Sequence, residues 1–126
     1  MPSLKLLPDA SARPPDALLV LADSWIDNDP DSGCLHVVGE LDIASAPQLQ
    51  LALRQALERS RLVVLDLRDL TFIDSSGVHV IVGAVNRARE IGRRLVVVRG
   101  YPIVDRMFAA AGALDVLEPR GAGETG

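Results

Sequence analysis

The segment from Leu62 to Leu67 is apolar at every position except Asp66. A run of this kind is typical of a β-strand whose two faces are both covered by helices. A segment with apolar residues at helical spacing precedes this run, and another follows it and leads into a further strand-like run. This alternation favours a layered α/β fold in which right-handed crossovers join parallel strands.

The predicted order of elements is β-β-α-β-α-β-α-β. A dense cluster of turn residues at 27–33 separates the first two strands, which favours an antiparallel hairpin. Ser45 and Gln48 have the spacing of a capping box at the start of the first helix. The strands are expected at residues 17–25, 34–38, 62–67, 95–98 and 114–117, with a turn at 68–74. We therefore expect an α/β domain with one mixed, mostly parallel sheet and an N-terminal antiparallel hairpin.

Composition limits the classes of function. The chain has 126 residues and a formal net charge of −4, which argues against a function dominated by contacts with nucleic-acid phosphates. Its longest aliphatic runs fall short of the roughly 20 apolar residues that a membrane-spanning helix requires. We expect a cytoplasmic domain at residues 16–119, between flexible tails at 1–15 and 120–126, that binds neither nucleic acid nor membrane.

Cysteine and histidine are scarce. Cys34 is the only cysteine, so the chain can form no internal disulfide and no zinc site of the four-ligand cysteine type. His36 alternates with Leu35 and Val37, and we interpret it as a solvent-facing or locally satisfied strand residue. No P-loop pattern occurs either. The sequence therefore predicts no metal, no cofactor and no catalytic residue.

The turn Asp74-Ser75-Ser76-Gly77 carries the strongest functional signal. It places two hydroxyls at the start of a helix, where free N–H groups and the helix dipole favour an anion. The residues alone allow two interpretations, an ordinary helix cap or a site of serine phosphorylation. Gly77 has no side chain and would let a partner approach the backbone closely.

The segments Val63 to Leu67 and Leu70 to Val78 together resemble the core of the STAS domain, specifically that of the bacterial anti-sigma factor antagonists. The turn Gly39-Glu40-Leu41-Asp42, the strand Leu95 to Val98 and the segment Val104 to Leu114 agree with this resemblance. It covers about residues 17–118, and it implies a single STAS-type domain that is not an enzyme.

In that family the serine directly after the aspartate is phosphorylated, which implies Ser75 here. The resemblance implies that the kinase is the anti-sigma factor itself, a protein with a histidine-kinase-like ATP-binding fold. The unphosphorylated antagonist binds this partner and frees the sigma factor, and a metal-dependent serine phosphatase reverses the modification. We expect a monomer or weak dimer. The partner-binding residues are expected to be Gly39, Glu40, Asp42, Asp74, Ser76, Gly77 and His79, with Gly83, Asn86 and Glu90 further along the same helix.

Other interpretations stay open at this point. The chain could be a STAS subunit of a stress-signalling or lipid-transport assembly, or a nucleotide-binding or weakly hydrolytic domain, since strand–helix turns suit phosphate. A hydrolase would pair Ser75 or Ser76 with His79 or His36, but no Gly-x-Ser-x-Gly motif is present. A basic cluster ends the second helix and is either a solvated face or a contact for an acidic partner: Arg87, Arg89, Arg93 and Arg94.

Overall fold

The computed structural model describes residues 18–24 and 31–118, and the predicted tails lie outside these ranges. The elements are β1 (Leu19–Ser24), β2 (Ser32–Leu41), α1 (Ala46–Arg59), β3 (Leu62–Ile73), α2 (Ser75–Glu90), β4 (Arg94–Val98), α3 (Pro102–Ala110) and a 3-10 helix (Leu114–Val116). The α/β class is confirmed, and the predicted element order is confirmed from the first strand to the third helix. Within the two described ranges, no helix has the length and the apolarity to cross a bilayer.

The four strands form one mixed sheet in the order β1-β2-β3-β4. β1 pairs with β2 antiparallel, as the predicted hairpin requires, while β2, β3 and β4 pair in parallel. Parallel neighbours need a crossover connection, and α1 and α2 supply it. The carboxyl ends of β2, β3 and β4 therefore share one edge of the sheet, and each end leads into a helix.

The hydrophobic core lies between one face of the sheet and the three helices. Alternate strand residues such as Val37, Leu65 and Val97 are fully buried and belong to the same cluster as the inward residues of the helices. The other sheet face is less covered by the described residues, since Leu19 and Leu21 of β1 remain 44% and 49% exposed. The expectation that both faces of the sheet are covered is therefore met on one face only.

β3 is longer than predicted. The strand continues through the expected turn at 68–74 and ends at Ile73. The register with β2 shifts twice, between His36 and Val38 and again between Gly39 and Glu40, and each shift places an extra residue in β3. Such bulges change the spacing of buried residues from two to three, as at Leu67, Leu70 and Ile73. Because this spacing is not a strict alternation, the sequence pattern did not predict that the strand extends to Ile73.

Two local predictions were wrong. Ser45 is the N-cap residue of α1, but its side chain makes no cap hydrogen bond, so the capping box with Gln48 does not form. Its hydroxyl instead donates to the Glu40 carbonyl at 3.1 Å. The last strand, expected at 114–117, is a 3-10 helix followed by a single parallel bridge between Leu117 and Val97.

Candidate functional site

The candidate site lies where β2 and β3 end side by side. The last pair of the parallel ladder joins Leu41 to Ile73. A short turn leads from β2 into α1, whereas only Asp74 separates β3 from α2. The structure thus brings together the two turns that the sequence singled out, as expected for the carboxyl edge of parallel strands.

Asp74 connects these two turns. Its side chain caps α2, because Oδ1 accepts the Gly77 N–H at 3.1 Å, and Oδ2 accepts the Ile43 N–H at 3.1 Å. Its own backbone N–H donates to the Leu41 carbonyl at 3.0 Å. Both carboxylate oxygens are therefore held by backbone donors, and the β2–α1 turn is fixed relative to the start of α2.

The two serines differ in exposure. Ser75, the first residue of α2, is exposed, whereas Ser76 is partly buried. Within the described ranges, no residue forms a hydrogen bond with the Ser75 hydroxyl. Ser75 is therefore accessible from solvent without unfolding of the helix start.

The prediction that Gly77 lets a partner approach the backbone was wrong. It is buried, and a Cβ placed on it would lie 2.7 Å from Ile73 Cγ1 and 2.7 Å from Leu41 Cγ. The missing side chain makes room for these two core residues and not for a docking partner. Gly77 supports the site by allowing α2 to pack closely on the ends of β2 and β3.

The residues predicted in the β2–α1 turn serve mainly its shape. Asp42 Oδ1 accepts the N–H groups of Ala44 and Ser45, both at 3.0 Å. Gly39 has a φ of 107°, a conformation that favours glycine. Glu40 is partly buried and pairs with Phe72 across the ladder. Asp42 and Gly39 thus determine the backbone conformation that leaves Ile43 exposed.

Ile43 is the residue at this edge that the sequence analysis missed. It is 76% exposed and lies at the rim of a shallow groove of about 490 Å³. Ile43 could have been identified from the sequence, because it is a large apolar residue in a turn made otherwise of aspartate, alanine and serine. The groove is lined by Ile43, Ala46, Pro47, Gln50, Ser75, Ser76, His79 and Val80.

The groove continues along the surface between α1 and α2. A second depression of about 370 Å³ shares Gln50, His79 and Val80 with the first. It passes Gly83, where a Cβ would meet nothing within 4 Å, and ends near Ile91. The predicted contact face of α2, made of His79, Gly83, Asn86 and Glu90, is exposed throughout.

The site does not have the geometry of a hydrolase. In the part of the chain that the structure describes, neither Ser75 nor Ser76 is hydrogen-bonded to a histidine, as a nucleophile and its base would be. Over the same ranges, no group of three or more His, Cys, Asp and Glu residues could hold a metal ion. The arrangement offers an accessible hydroxyl beside a groove, which suits recognition by another protein.

Comparisons with known proteins agree with this geometry. The family model described as the STAS domain matches residues 26–122. The anti-sigma-B factor antagonist of Listeria monocytogenes is 30% identical over 93 residues, which cover 73% of this chain and 82% of that protein.

Two solved structures share the fold. The anti-sigma factor antagonist SpoIIAA in its unphosphorylated form has a TM-score of 0.68 at 18% identity, over 85% of this chain and 92% of that one. The Bacillus cell fate determinant SpoIIAA in the phosphorylated form has a TM-score of 0.62 at 17% identity, over 85% and 96% of the two chains. At these identities the two structures establish the fold alone.

Proposed function

Because the chain belongs to the STAS domain family, we propose that it is an anti-sigma factor antagonist that is switched by phosphorylation of Ser75. The partner is an anti-sigma factor with a histidine-kinase-like ATP-binding fold, which also phosphorylates Ser75. The unphosphorylated chain binds this partner and so frees a sigma factor. The phosphorylated chain releases the partner, and a metal-dependent serine phosphatase restores binding.

The observation that carries the proposal is the exposed hydroxyl of Ser75 at the first position of α2. A kinase can reach it, and a phosphate attached there would lie at the positive end of the helix dipole. Phosphorylation would therefore leave the fold intact and change mainly the charge of the docking edge.

Asp74 determines where such a phosphate would point. Its carboxylate is held by the N–H groups of Gly77 and Ile43 and cannot turn away without losing both hydrogen bonds. A phosphate on Ser75 would be repelled by this fixed negative charge and directed toward whatever docks on the edge. Asp74 thus belongs to the switch as well as to the helix cap.

The energy scale suits a switch. A phosphoserine carries a charge of about −1.5 to −2 at neutral pH. Burying such a charge without a partner costs at least several kcal/mol. Moving a binding equilibrium from 1:99 to 99:1 requires about 5.5 kcal/mol. One phosphate that must be desolvated on docking can therefore separate the bound state from the free state.

The proposed contact surface is the groove between the starts of α1 and α2. Ser75, Ser76 and His79 contribute from α2, and the exposed Ile43 adds an apolar contact at the rim. The remaining predicted residues act by holding this surface in shape: Gly39, Glu40, Asp42, Asp74 and Gly77. The exposed positions along α2 extend the surface away from Ser75.

The decisive experiment is incubation of the chain with ATP and candidate anti-sigma kinases, followed by intact mass measurement and peptide mapping. We expect one phosphate, on Ser75. Ser75→Ala should abolish the modification, whereas Ser76→Ala, one residue away at the same helix start, should retain it. A phosphate on Ser76, or no modification with any candidate kinase, would contradict the proposal.

A further inference from the structure

The less covered face of the sheet carries a line of hydrogen-bonded side chains that the proposed function does not use. Cys34 Sγ lies 3.4 Å from His36 Nε2, and His36 Nδ1 lies 3.1 Å from Asp66 Oδ2. Arg68 closes the line with its Nη2 donating to Asp66 Oδ2 at 2.7 Å. A thiol, an imidazole and a carboxylate thus stand in the order that activates a nucleophile.

The pleat and the register of the sheet create this arrangement. Cys34 and His36 are two apart in β2, as Asp66 and Arg68 are in β3, so each pair points to one face. His36 and Asp66 are also direct partners in the parallel ladder. The register shift that follows His36 comes after this pair and leaves it aligned.

Burial along the line is greatest at Asp66, whereas Arg68 at the end of the line is 67% exposed. The Asp66 side chain is 7% exposed and that of His36 is 34% exposed. Cys34 is partly buried. The imidazole can therefore exchange protons with water, whereas its carboxylate partner is held within the protein.

The direction of the hydrogen bond between His36 and Asp66 follows from the ionised carboxylate. Hydrogen bonds from the Arg68 guanidinium lower the pKa of Asp66, so this carboxylate is ionised at neutral pH and only accepts. Nδ1 of His36 must then carry the proton that bonds to Asp66. In its neutral form the imidazole then has its lone pair on Nε2, which faces the Cys34 thiol in the position of a general base.

We infer that Cys34 is a nucleophilic modification site, activated by His36 and Asp66, that reacts with peroxides and other small electrophiles. Cys34 lies apart from the Ser75 edge, and its reactivity does not depend on the proposed function. If the three side chains only stabilise the fold, Cys34 should react at the rate of an ordinary thiol. The reaction rate of Cys34 therefore distinguishes activation from a structural role.

Hydrogen peroxide would oxidise the Cys34 thiol in one two-electron step. His36 Nε2 takes the thiol proton, and the thiolate sulfur attacks one peroxide oxygen. An S–O bond forms and the O–O bond breaks, so that sulfur loses two electrons and the peroxide is reduced. The leaving hydroxide takes the proton from the His36 imidazolium, which yields water and a sulfenic acid on Cys34. The chain has no second cysteine, so a disulfide at Cys34 can form only with a thiol from another molecule.

The first test is the rate of alkylation by iodoacetamide at pH 7, followed by intact mass. We expect Cys34 to react at least tenfold faster in the folded chain than in the same chain unfolded in urea. His36→Gln, which keeps a polar side chain but no base, should remove this difference. Equal rates for the folded and unfolded wild type, or an unchanged rate in His36→Gln, would overturn the inference.

The second test uses hydrogen peroxide with dimedone to trap the sulfenic acid, with circular dichroism confirming that each variant is folded. We expect a single adduct on Cys34 in the wild type and at least a tenfold slower reaction in His36→Gln. Asp66→Asn should also slow it, because an amide can donate to the imidazole and no longer fixes the Nδ1 proton.

Discussion

Asp66 and Asp74 lie eight residues apart along β3 and its exit, and each carboxylate connects two elements. Asp74 accepts from two backbone N–H groups, one in α2 and one in the β2–α1 turn. Asp66 accepts from the side chains of Arg68 and His36 and from the Arg68 backbone N–H. Backbone donors belong to the elements that they join, so the first arrangement fixes the shape of a docking edge. In the second arrangement the permanently charged Arg68 guanidinium holds the carboxylate where it bonds to the His36 imidazole.

The largest effect is expected at the edge that Asp74 shapes. Ser75→Asp should weaken binding to the cognate anti-sigma factor by about 100-fold or more, which is about 2.8 kcal/mol, because docking must desolvate a new negative charge. Isothermal titration measures the affinity, with Ser75→Ala as the neutral control that should retain binding. Equal affinities for Ser75→Asp and wild type would remove the electrostatic basis of the switch.

The rigidity of that edge can be tested at Gly77. Gly77→Ala should lower the free energy of unfolding by about 1–3 kcal/mol, because the new Cβ would collide with Leu41 and Ile73. Gly83→Ala is the matched control in the same helix, where a Cβ meets nothing within 4 Å. This control should stabilise the chain by about 0.5–1 kcal/mol through helix propensity. Urea unfolding of both variants distinguishes packing from propensity, and equal shifts would refute the packing argument.

Removal of the Asp74 carboxylate tests whether one side chain holds both turns. Asp74→Ala should destabilise the fold by about 1–2 kcal/mol, the usual range for a lost helix cap. Hydrogen exchange should also accelerate at the Ile43 amide, which loses its acceptor although it lies 31 residues away in sequence. If only the amides of α2 exchange faster, the hydrogen bond from Ile43 to Asp74 does not stabilise the β2–α1 turn.

The smallest effect is expected at the carboxylate of the other region. Arg68→Gln should cost about 1 kcal/mol at pH 7, since the Arg68 side chain is largely exposed and its pairing is screened by solvent. Arg68 lowers the pKa of Asp66 below 3.8, so its contribution is present above that pH and is lost as the pH falls through the lowered value.

Urea unfolding of wild type and Arg68→Gln as a function of pH measures this loss. The two stability curves should converge in acid and stay apart at neutral pH. A difference that is constant from pH 7 to pH 2 would assign the effect of Arg68 to packing and not to its charge.

Sequence patterns predicted the features that depend on neighbouring residues. The Asp74-Ser75-Ser76-Gly77 turn is contiguous, so its position at a helix start could be predicted from capping chemistry. The length of β3 could not, because its two bulges depend on pairing with β2. The role of Gly77 was misjudged for a similar reason, since Gly77 lies in α2 and Leu41, which it accommodates, lies in β2.

Apolar spacing was enough to predict the strands and helices up to α3, because the spacing within each segment records which side faces the core. It was also enough to predict that Ser75 and Ser76 lie at the start of a helix. That Asp74 reaches Ile43, and that Asp66 reaches His36, could be seen only in the folded chain. These two contacts join residues 31 and 30 positions apart, and the register of a parallel ladder, which brings them together, is set by the packing of the whole sheet.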